Sequence, residues 1–76
     1  MKELVEFIAQ SLVSKPDQVV VETSEREGVQ VIALRVDQED LGTVIGRRGR
    51  TASALRTLVS AAAARTGQDV QVEIRD

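Results

Sequence analysis

Glycine and arginine carry the most distinctive chemistry in this 76-residue chain. Gly46-Arg47-Arg48-Gly49 is a Gly-x-x-Gly turn holding two arginines, and Arg50 follows at once. Glycine has no Cβ, so its backbone can lie directly against a ligand. A guanidinium matches the oxygens of a phosphate in both charge and geometry. A helix starting just after Gly49 would add free N–H donors and a partial positive charge. Arg50 would then sit in the first helical turn, where it opposes the helix dipole and where an anionic ligand would compensate it. These residues point to a phosphate contact. A bare Gly-x-x-Gly can equally be a helix stop and a solvated turn, so the surrounding elements must decide.

The rest of the composition excludes most other chemistries. With no histidine, cysteine or tyrosine, the chain lacks the usual general base and the thiolate metal ligand. Ser11, Ser14, Ser24, Ser53 and Ser60 have no evident activating base, so no enzyme is expected. Asp37, Glu39 and Asp40 read as helix-capping acids rather than as a metal site, and neither metal nor cofactor is expected. No apolar run approaches the roughly 20 residues of a membrane helix. Met1-Lys2-Glu3-Leu4 is unlike a signal peptide, so a cytoplasmic protein without a membrane partner is expected. The net charge of −2 hides an asymmetry: residues 41–68 hold five arginines and no acid, leaving the remainder at −7. Screening over about 8 Å at physiological salt lets such a basic stripe act locally.

Hydrophobic periodicity supplies the positioning elements. Leu4, Val5, Ile8 and Leu12 are spaced for a helix over 3–13, which Pro16 ends. Val19-Val20-Val21 opens a strand running to about Thr23, and residues 24–28 form a polar turn ending in glycine. A second strand covers Val29–Val36, with Ile32, Leu34 and Val36 on one face. Asp37 caps a short helix through Leu41, Val44 and Ile45, which stops at Gly46. Leu55, Leu58, Val59 and Ala62 mark an amphipathic helix after Gly49, terminated by Gly67. Val70, Val72 and Ile74 alternate with polar residues in a last strand. The result is an α+β chain of order α-β-β-α-α-β. Its second and last strands are far enough apart for a right-handed crossover, and three helices form one layer over one sheet face.

Strand, helix, Gly-x-x-Gly, helix, strand resembles the core of a KH domain. The extra helix and strand on the N-terminal side are similar to the type II arrangement. Asp40-Leu41-Gly42, Val44-Ile45-Gly46, Gly49-Arg50-Thr51-Ala52 and Ala54-Leu55-Arg56-Thr57-Leu58 resemble the small bacterial single-KH proteins of the KhpA family. The resemblance covers residues 1–76 as one domain with a three-stranded mixed sheet. It implies non-catalytic binding of single-stranded RNA, with about four nucleotides clamped over the loop. It also implies an RNA chaperone or post-transcriptional regulator, linked to cell shape and cell-wall organisation. Implied partners are a second copy of the chain and a larger KhpB (Jag-like) protein, and the alternative reading is a protein-interaction module for these partners in which RNA binding is secondary.

On this resemblance the RNA site comprises Val44, Ile45, Gly46, Arg47, Arg48, Gly49, Arg50, Ala52 and Arg56. Arg47 and Arg48 hold phosphates. Val44 and Ile45 form an apolar floor for bases, with Ala52 across the groove, or else belong to the core. Arg56 either extends the phosphate track or lies on a solvated helix face. The loop 65–69 forms a minimal rim. Phe7, the only aromatic residue, is expected in the core, which leaves no stacking platform. The run Ala61–Ala64 reflects helix propensity or a close helix contact. In the second case Leu58, Ala61, Ala62 and Arg65 would form a dimer interface.

Overall fold

A computed structural model describes all residues, 1–76. The elements are α1 (Lys2–Leu12), β1 (Val20–Arg26), β2 (Val29–Arg35), α2 (Leu41–Ile45), α3 (Arg50–Ala64) and β3 (Val70–Arg75). Short 3₁₀ turns precede β1 and α2 and separate α2 from α3. The sheet order is β1-β2-β3, with β1 antiparallel and β3 parallel to the central β2. A parallel pair cannot be joined by a tight turn. The connection from β2 to β3 therefore carries α2, the glycine turn and α3.

Ile32 and Leu34 of β2 are fully buried, and Val36 just beyond the strand is nearly so. They meet Val5 and Ala9 of α1, Val44 of α2, Leu55 and Val59 of α3, Val21 of β1 and Val72 of β3. The helices lie on this one face. On the opposite face Arg26 pairs with Glu73 at 2.7 Å, Glu73 also pairs with Arg75, and Arg35 pairs with Glu22 at 3.5 Å. Beneath these long side chains Val31 is buried among Arg26, Val29 and Gln71.

Several expectations need correction. The first strand continues through Ser24, Glu25 and Arg26, and the hairpin turn shrinks to Glu27-Gly28. Both turn residues have positive φ (51° and 82°), the geometry that matches the twist of paired strands. Phe7 is 69% exposed. It lies beyond the buried stripe of α1, which runs through Val5 and Ala9. On α3 the buried stripe is Ala52, Leu55, Val59 and Ala63, and Leu58 is 49% exposed. The helix closes as expected at Gly67: the N–H of Gly67 donates to the Ala64 carbonyl, and that of Gln68 to Ala63.

Asp40 is the largest surprise. Asp37 does cap the turn before α2, accepting from the Glu39 N–H at 2.9 Å. Asp40, in contrast, is buried and accepts from the Ser14 N–H (3.0 Å), the Ser14 hydroxyl (2.7 Å) and the Lys15 N–H (3.1 Å). It fastens the start of α2 to the α1–β1 connection, 26 residues earlier in the chain. Lys15 closes the same junction, with its ammonium 3.1 Å from Glu39 and 3.7 Å from Asp37.

The Ser14 hydroxyl and amide hold the Asp40 carboxyl below its ordinary range, against the opposing effect of burial. A carboxyl depressed in the folded state stabilises the fold above about pH 4, and that stabilisation is lost as pH falls through the folded titration. Glu73, held low by Arg26 and then Arg75, acts in the same direction. Asp40→Ala should lower the melting temperature at pH 7 by about 5–15 °C, because two backbone N–H groups lose their acceptor. Asp40→Asn should be less destabilising and should flatten the acid limb of the stability–pH curve below about pH 4. Thermal melts from pH 2.5 to 7 check both.

Candidate nucleic-acid interface

The turn between α2 and α3 is built by one close approach. At Gly46 the chain has φ 78° and ψ 168°, a region essentially closed to residues with a Cβ. A Cβ there would lie 2.3 Å from the Thr51 hydroxyl oxygen and 2.8 Å from its backbone nitrogen. Arg48 and Gly49 both adopt left-handed conformations, with φ 57° and 71°. For a non-glycine residue such as Arg48 this costs on the order of 1 kcal/mol. Three hydrogen bonds fix the turn, from the Gly46 N–H to Gly42 (2.8 Å), from the Gly49 N–H to Gly46 (3.0 Å) and from the Arg50 N–H to Arg47.

Arg47, Arg48 and Arg50 are exposed, and none is ion-paired. The N-terminus of α3 has no side-chain cap and no acid in its first turn. The Arg50 N–H donates back to the Arg47 carbonyl, and no side chain of the protein caps the N–H groups that follow it. Ile45, 38% exposed, sits beside them as the one accessible apolar side chain of the three expected in a groove. Val44 and Ala52 are 1% and 3% exposed. Val44 joins the core beneath the helices and Ala52 is buried on α3, so neither offers surface to a base.

Arg56 makes a contact that neither expectation includes. It is exposed, yet its Nε donates to the Val72 carbonyl at 3.3 Å, bridging α3 to β3. Between them lies a groove of about 510 Å³, walled by Arg56 and Ser60 on one side and by residues 70–74 on the other. Sequence reasoning missed this β3 wall, because strand alternation does not say which strand lies at a sheet edge.

The largest depression, about 620 Å³, lies between the hairpin and residues 67–69. It sits at the far end of α3, about 22 Å of helix away from the arginine turn. Glu25 and Asp69 line it without any basic residue, so it is electrostatically wrong for a phosphate. Leu58, Ala61 and Arg65 are exposed and Ala62 is half-buried.

The family model described as KhpA/KhpB, KH domain, matches residues 2–74. The RNA-binding protein KhpA of Borreliella burgdorferi is 53% identical over 74 residues, covering 97% of this chain and 90% of its own. The protein of that name from Clostridium perfringens is 51% identical, covering 97% and 99%. The one from Halalkalibacterium halodurans is 46% identical over the full length of both chains. Among solved structures, Era in complex with MgGDPNP and nucleotides 1506–1542 of 16S ribosomal RNA superimposes with a TM-score of 0.60 at 20% identity. That match covers 97% of this chain and 28% of Era, and it speaks for the fold alone. Fold, turn and sequence similarity agree: the chain belongs to the KhpA/KhpB family of KH domains.

Proposed function

We propose that this protein binds single-stranded RNA without catalysis, seating the sugar-phosphate backbone on the Gly46–Gly49 turn. The observation that carries the reading is the cluster of three unpaired arginines at an uncapped helix start, on a turn that glycine keeps free of side chain at Gly46. The relatives' shared name, RNA-binding protein KhpA, supports it. Arg47 and Arg48 contact phosphates, Arg50 adds charge, Ile45 offers an apolar edge, and bases enter the groove along β3. Val44 and Ala52 act from beneath, by holding α2 and α3 in place. With one aromatic residue in the chain, binding relies on charge and backbone hydrogen bonds and is salt-sensitive. The cellular role that fits is an RNA chaperone or post-transcriptional regulator in the cytoplasm, linked to cell shape and cell-wall organisation. No helix is long and apolar enough to cross a membrane.

A complementary interaction surface is part of this reading. Leu58 stands 49% exposed beside Ala61 and Ala62, whose small side chains permit close helix approach, with Arg65 at the end of the strip. A second copy of the chain, or a larger KhpB-like partner, would cover it. Two linked sites would raise affinity for one RNA strand through effective concentration.

Replacing both Arg47 and Arg48 by Asp should weaken RNA retention in a gel shift at least about tenfold while circular dichroism stays unchanged. Undiminished binding would remove the turn from the site. In the unmodified protein, two or three phosphate contacts predict a log–log salt slope of about −1.4 to −2.1. For the interaction surface, Ala62→Glu should shift sedimentation from dimer to monomer. An unchanged dimer would place the interface elsewhere.

A further inference from the structure

The role of Arg56 rests on the RNA-binding reading above and sharpens it. β3 is an edge strand, paired only with β2. In a parallel ladder, alternate residues turn their backbone groups toward the neighbour or away from it. The Gln30 N–H donates to the Asp69 carbonyl at 2.9 Å, and the Val36 N–H to the Arg75 carbonyl at 3.1 Å. Odd-numbered residues here therefore face β2. Val70, Val72 and Ile74 turn their N–H and C=O groups to the free edge, along the groove walled by Arg56 and Ser60.

On that edge the Val72 carbonyl already has a partner, the Nε of Arg56 at 3.3 Å. No carboxylate is paired with Arg56. The guanidinium is planar, so anchoring Nε fixes the plane in which its remaining N–H donors lie. We propose that Arg56 sets the base preference of the groove by taking the acceptor at Val72 and offering donors in its place. With the Val72 N–H, it makes this stretch of wall a donor surface. Cytosine presents two adjacent acceptors to such a wall, O2 and N3. Adenine brings its N6 amino donor beside N1 and meets a carbonyl one of whose two acceptor sites Arg56 already takes, with the guanidinium beside it. The nucleotide reaching Val72 is therefore selected as cytosine over adenine.

Fluorescence anisotropy with labelled oligocytidylate and oligoadenylate RNA, each about eight nucleotides long, tests this at fixed salt. The unmodified protein should prefer the cytosine strand by about fivefold to tenfold, the discrimination expected of one well-made base contact. Arg56→Met keeps an unbranched stem, frees the Val72 carbonyl and should bring the ratio to about one or below. Its lost charge weakens both strands alike, so the ratio is the readout. Arg56→Lys should recover the affinity lost with the charge but not the ratio. If neither strand binds the unmodified protein, the RNA-binding reading falls. If both bind and the ratio is the same in Arg56→Met, RNA binding stands and the role of Arg56 is overturned.

Discussion

Thr51 lies against the backbone of Gly46 so closely that no side chain fits between them. That contact lets α2 end and α3 begin within four residues. It points the start of α3 outward and carries Arg47, Arg48 and Arg50 with it. The parallel pairing of β2 with β3 requires a crossover over one sheet face. Placing the sharp turn between the two crossover helices leaves the turn exposed at a corner while Val44 and Ala52 anchor it from below. Asp40 secures the other end of α2, where its carboxylate replaces a backbone partner for Ser14 and Lys15. The turn is thus braced from both sides by contacts that involve none of its arginines.

Pairing, rather than net charge, gives the molecule its polarity. Lys15, Arg26, Arg35 and Arg75 each face a carboxylate. Arg47, Arg48, Arg50, Arg56 and Arg65 face none. The ion-paired acids lie at the α1–α2 junction and on the helix-free sheet face, and the arginines around α3 are left without a carboxylate. This is how an acidic chain, with a net charge of −2, presents a basic site.

Most of the architecture was legible in the sequence because its signals are local. Pro16, Gly46 and Gly67 punctuate the helices, and the alternation in Val70–Arg75 marks a half-buried strand. The arginine turn was legible for the same reason. What escaped was set by tertiary contacts. Asp40 looks like a helix-start acid until Ser14 is brought beside it. Leu58 looks like core because periodicity reports a face, and Phe7 because it is a large apolar residue, whereas burial depends on what the neighbours cover. Ala52 looked available to a ligand, and Val44 open to either role, because nothing local reports their burial. Arg56 could not be placed without knowing that β3 is the free edge of the sheet.

Backbone amide NMR of the protein titrated with a short single-stranded RNA tests the central claim most directly. The largest shifts should fall on Gly46–Arg50, the first turn of α3 and residues 70–74. β1 and the Glu27-Gly28 turn should stay unmoved. Shifts concentrated on the helix-free sheet face or in the polar cleft at 67–69, with the arginine turn silent, would contradict it.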